Sequence, residues 1–197
     1  MINPPDTGSD HRRSQQPAQP GLKVFVDPKR ALTFGGEDEL SAKRDTASNM
    51  KDDYKEYTKT CERIRQENAQ LLDGFVTVLR NQRLATRTIR THRENVDFFI
   101  NEFLLYQEAK KPEEGIGEID EFLGDWFIRK AMWSTPRTIK STATSLYKFY
   151  GFLAASEKIT PAELAELKET VALQLPEWQA KCERYNDADI DNWRGTD

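Results

Sequence analysis

Two residue types are scarce in this chain of 197 residues, which holds two cysteines and two histidines. Cys61 and Cys182 form no CxxC pair and build no disulfide framework, so both are expected to be packing thiols in a reducing compartment. No Gly-rich phosphate loop, Ser-His-Asp set or pair of buried carboxylates can be argued, and no cofactor is implied. No apolar run approaches the roughly eighteen residues that span a bilayer, and the first residues lack the apolar core of a signal peptide. The expectation is a soluble, cytoplasmic protein without a membrane partner. Asp187, Asp189 and Asp191 alternate like the opening of an EF-hand loop, but Asn192 replaces the turn glycine and no closing glutamate follows, so no metal is expected there.

Charged residues make up 31% of the chain and hydrophobic ones 37%. The polar excess sits in residues 1–60, where "PPDTGSDHRRSQQPAQPG", "FGGEDEL" and "SAKRDTASNMKDDYKEYTKT" offer too little apolar surface to offset the entropy lost on ordering. This stretch is expected to be a disordered tail, with "LKVFV" (residues 22–26) an incidental apolar cluster. A single helical domain is expected over residues 61–183, followed by a polar tail over 184–197.

Hydrophobic periodicity predicts an all-α bundle of about five helices. In residues 62–80, Ile64, Leu71, Leu72, Phe75, Val78 and Leu79 recur at three-to-four spacing. In residues 86–106, Ile89, Val96, Phe99, Ile100 and Phe103 share one face with His92, which is therefore read as a packed histidine. Residues 107–118 contain Pro112, Gly115 and Gly117 and read as a loop. An acidic start that suits the helix dipole precedes Leu123, Trp126 and Phe127 in a helix over 119–131. Thr135 and Pro136 then mark a helix start whose buried face carries Ile139, Ala143, Leu146, Phe149, Tyr150 and Leu153. "TPAE" from Thr160 is a capping box for the last helix, which buries Leu164, Leu167 and Val171 and which Pro176 is expected to interrupt.

One pentad occurs almost unchanged twice, as "RTIRT" from Arg87 and "RTIKS" from Arg137. Each opens a helix and sets cations and hydroxyls on the face opposite the apolar one, around an anchoring isoleucine. Helix starts present free N–H groups and partial positive charge, so such a face suits phosphate. Overall charge is −4, yet between Asp73 and Glu94 the chain carries Arg80, Arg83, Arg87, Arg90 and Arg93 with no acidic residue, while Glu113, Glu114, Glu118, Asp120, Glu121 and Asp125 gather elsewhere.

"LATRTIRTHRENVDFFINEFL" resembles the Leu-Ser-x-x-Thr-Ile pattern that opens the N-terminal core-binding, or SAM-like, domain of tyrosine recombinases, the phage-integrase family. "STPRTIKSTATSLYKFYGFLAASEKI" resembles that domain's closing element, and "IDEFLGDWF" its intervening acidic-aromatic helix. The resemblance covers roughly residues 65–180. Ala85 stands where serine is usual and His92 where tyrosine is common. The family's catalytic half is not seen: Ser14 and Asn95 follow His11 and His92 at the third position, so the family's His-x-x-Arg element is absent, and Tyr185 lacks catalytic surroundings. The resemblance thus implies a DNA-binding half without strand cleavage, a non-enzymatic module from the world of DNA recombination and integration.

The expected DNA contacts are Arg80, Arg83, Arg87, Arg90, Arg137, Lys140 and Lys148 on phosphates, with Thr88, Thr91, Thr138, Ser141 and Thr144 adding hydroxyls. The alternative is a helical protein-interaction module that keeps the fold and has lost DNA, partnering a separately encoded recombinase or another protein. Its support is the near-neutral body, where residues 61–185 hold 18 Lys and Arg against 19 Asp and Glu. Aromatics exposed on an acidic face, Trp126, Phe127 or Trp133, would favour it.

Overall fold

A computed structural model describes residues 37–194 apart from Gln107, with the side chains of residues 53–188. The segment "LKVFV" and the rest of residues 1–36 lie outside the described residues, as do 195–197. The chain divides into two units, Met1–Arg44 and Asp45–Asp197, and the hydrophobic core lies in the second.

Among the described residues the secondary structure is helical throughout. Helix α1 (Glu37–Asn81) is far longer than the helix predicted from residue 62. Residues 37–60, read as tail for their polarity, are helical, and no proline or glycine occurs between Glu37 and Asp73 to interrupt the helix. Polarity argued against burial there, which is a different matter from helix formation.

A short turn, in which Arg83 takes a left-handed φ of 58°, leads to α2 (Thr86–Asp97). This helix continues as a π-helical stretch, Phe98–Phe103. The predicted loop contains 3-10 turns over Pro112–Glu118, which open α3 (Ile119–Glu121). A second π stretch, Phe122–Trp126, joins α3 to α4 (Phe127–Lys130), so the three form one rod. The two π stretches pack against each other: ring centroids are 4.9 Å apart for Phe99 and Phe122, 4.9 Å for Phe103 and Phe122, and 5.5 Å for Phe98 and Trp126. A π turn holds an extra residue, which brings neighbouring aromatics to bear on one partner.

Helix α5 (Pro136–Ala155) begins as its sequence requires: Thr135 Oγ1 accepts from the Thr138 N–H at 3.1 Å, and Thr138 Oγ1 accepts from the Thr135 N–H at 2.8 Å. Its face of Ile139, Ala143, Leu146, Phe149, Tyr150 and Leu153 is buried against α2, α6 and the aromatic centre. Tyr150 donates to the Pro112 carbonyl at 2.9 Å, fastening α5 to the 3-10 turns.

Helix α6 (Pro161–Arg194) opens on the predicted capping box, the Thr160 N–H donating to Glu163 Oε2 at 2.7 Å. The predicted interruption at Pro176 does not occur. Proline removes the N–H that would meet the carbonyl of Ala172, but both residues are exposed, so that carbonyl is not left buried without a partner. Beyond the proline, Trp178 and Cys182 are buried, and Trp178 Nε1 donates to Asp120 Oδ1 at 2.7 Å, so tertiary contacts carry the helix through. Gly124 makes room for this: a Cβ there would lie 2.9 Å from Cδ1 of Trp178. The polar tail expected from residue 184 is helical as far as Arg194. Both cysteines are buried and unpaired, and burial pushes the Cys182 thiol pKa up.

Candidate nucleic-acid interface

The two helices that open on the repeated pentad pack directly on each other. A polar seam joins them. Ser145, fully buried, donates to the Ser141 carbonyl at 2.9 Å, so its oxygen is left to accept from Asn95 Nδ2 at 2.9 Å and from His92 Nδ1 at 2.8 Å. This arrangement assigns the imidazole proton to Nδ1. His92 is buried as its place on the apolar face predicted, and burial foremost, then the charge of Lys148, holds its pKa below the ordinary value.

The seam joins Asn95 on α2 to Ser141 and Ser145 on α5. Arg87 lies ~12 Å along its helix from Asn95, and Arg137 ~6 Å along its own from Ser141, at 1.5 Å rise per residue. With helix axes 8–10 Å apart, the Cα atoms of the two arginines are no more than about 30 Å apart.

Arg80, Arg83, Arg87, Thr88, Arg90, Arg137, Lys140 and Thr144 are exposed, and Thr91 and Lys148 are half-exposed. Two of the expected hydroxyl contacts are engaged within the protein. Ser141 was expected on the solvated face and instead lies half-buried on the seam, where Asn95 Nδ2 approaches its hydroxyl at 3.5 Å. Thr138 is half-buried, its hydroxyl held in the α5 cap. Thr91 and Thr144 donate to the carbonyls of Arg87 and Lys140, which leaves their oxygens free to accept.

Among the described residues no carboxylate pairs with Arg80, Arg83, Arg87, Arg93, Arg137, Lys140 or Lys148, and Arg90 meets Glu94 at 3.5 Å in an exposed pair. The acidic segment is engaged elsewhere. Glu113 pairs with Lys158, Glu118 with Lys110, and Asp125 with Arg129 and Lys181. The Arg129 guanidinium is the main reason the Asp125 pKa falls below its ordinary value.

Sequence reasoning missed a second acid-free run. Residues 126–156 hold Arg129, Lys130, Arg137, Lys140 and Lys148 without one aspartate or glutamate, matching the five arginines of the first run. A charge count along the chain would have found it. The seam had no such signal, because a serine on a helix does not announce its partner. Of the three aromatics considered for protein contact, Trp126 and Phe127 are buried and Trp133 is 56% exposed. No group of His, Cys, Asp or Glu among the described residues could hold a metal ion, and no helix there is long and apolar enough to cross a membrane.

No family model, curated protein or solved structure matches the chain.

Proposed function

We propose that this protein is a non-catalytic duplex DNA-binding module that grips the phosphate backbone with the starts of α2 and α5. The observation that carries the reading is the set of exposed cations without carboxylate partners on two helices tied together by a buried seam. Unneutralised cations release counterions from a polyanion, whereas cations already in ion pairs release few. The bound of about 30 Å between the two helix starts is less than one turn of B-DNA, about 34–36 Å, so one molecule can reach phosphates within a single turn. The resemblance of both helices to a recombinase core-binding domain supports the same reading, and no bond-breaking step is assigned to the chain.

Such a grip is sequence-tolerant, with a Kd of about 10⁻⁴ to 10⁻⁶ M at physiological salt. The test is a titration of labelled duplex with wild type and with Arg87→Ala/Arg137→Ala at several salt concentrations. Removing two phosphate contacts lowers the slope of log K against log salt by about 1.8 and leaves the thermal melt unchanged. Equal binding and equal slope for the two proteins, or no binding by either, overturns the proposal in favour of a protein-interaction module.

A further inference from the structure

The turn between α4 and α5 displays two large apolar side chains to solvent: Met132 is 100% exposed and Trp133 56%. The turn is nevertheless firmly held. The Ser134 N–H donates to the Ala131 carbonyl at 2.8 Å, Ser134 Oγ donates to the Ile128 carbonyl at 3.1 Å, and Asn186 Nδ2 donates to the Ser134 carbonyl at 3.0 Å. The Trp133 ring leans on Phe98 with centroids 5.4 Å apart. Burial cannot account for Met132, and a pinned backbone presents it without the ordering cost that a loose loop would carry on binding.

Position and charge say what meets it. The turn immediately precedes the Thr135 cap, so it lies at the N-terminal end of α5, the end that bears Arg137. Lys130 and Arg137 flank it within the acid-free run, and neither has a carboxylate partner among the described residues. A nucleic acid offers anions to the cations and an apolar base stack a few ångströms further in, behind its phosphates.

Resting on the DNA reading above, we propose that Met132 and Trp133 form an apolar wedge that enters a groove and presses on the base stack of the duplex held by the two helix starts. Side chains of this kind partly unstack a base step and bend the duplex. Met132 is the leading side chain, and Trp133, braced by Phe98, backs it.

The test uses the full chain and a duplex of about two helical turns carrying a donor and an acceptor dye at its ends. Met132→Ala/Trp133→Ala is expected to weaken binding by about tenfold or more, to leave the salt slope unchanged because no phosphate contact is lost, and to abolish the dye-to-dye transfer change that wild type produces. If removing Trp133 disturbs the fold, as read by circular dichroism, Met132→Ala alone must lose the transfer change. Wild-type binding and bending by these variants overturns the wedge, while a lowered slope in Arg87→Ala/Arg137→Ala keeps the DNA reading. If wild type does not bind duplex, both fall. Loss of binding to phosphatidylserine vesicles with duplex binding intact makes the tip a lipid anchor and likewise overturns the wedge.

Discussion

Around the 3-10 turns, α4 and α6, most cations keep close company with acids: Lys110, Lys111, Lys158, Arg129, Lys181 and Arg184 each meet a carboxylate, and Lys130 and Lys168 do not among the described residues. At the end of α1 and along α2 and α5, Arg80, Arg83, Arg87, Arg93, Arg137, Lys140 and Lys148 meet none among the described residues. Stability does not account for the contrast, since an exposed ion pair contributes only about 0–1 kcal/mol. Pairing cancels the electric field of the first region, and its absence leaves the field of the second intact. The balance of 18 cationic against 19 acidic residues over 61–185 is thus the sum of two opposite arrangements, and net charge is a poor guide to what either region binds.

The comparison breaks if the regions cannot be perturbed separately. The largest effect is expected from Trp178→Ala in the paired region. It empties a buried site and breaks the bond to Asp120, lowering stability by about 3–5 kcal/mol in chemical denaturation. The salt slope of duplex binding stays as in wild type, and a changed slope would mean that the basic face depends on the other region's packing.

Acid titration separates the regions next. The folded pKa of His92 is depressed below its ordinary 6.5, so the unfolded chain takes up the proton first, and the stability held by the neutral ring is complete above pH 6.5 and declines as pH falls below it. Glu67 and Asp125 are depressed from 4.5 and 3.8, mainly by Lys111 and Arg129, so their contributions are lost only as pH falls below those values. Denaturation midpoints against pH should therefore fall in two steps, and His92→Gln should remove the upper step alone. The smallest effect sharpens the contrast within one residue. Arg83 occupies a left-handed conformation that glycine takes without strain, so Arg83→Gly should stabilise the fold by about 1 kcal/mol while lowering the salt slope by about 0.9. A loss of stability with an unchanged slope would place Arg83 in the fold's support and outside the grip.

What was legible in the sequence was local. Thr135 with Pro136, and Thr160 with Glu163, marked two helix starts correctly because a cap is decided within four residues. The apolar stripes of α2 and α5 foretold the core, His92 included, because helical period and burial coincide there. The misreadings came where distant contacts or plain helix propensity decided. Pro176 carries every local sign of a stop, yet Trp178 and Cys182 are gripped from other elements. The opening half of α1 has no stripe to read. Ser141 sits among exposed residues on a helical wheel, but the wheel does not include the asparagine of α2 that reaches across to it.

The seam between α2 and α5 has a last consequence. His92, Asn95, Ser141 and Ser145 tie α2 to α5 through their side chains, and none of the four needs to touch a ligand. They act like the locking screw of a caliper. On the DNA reading proposed above, substitutions at this junction would change the spacing of the two helices while every surface arginine and lysine stays in place, so variants with the same charged face would bind duplex differently.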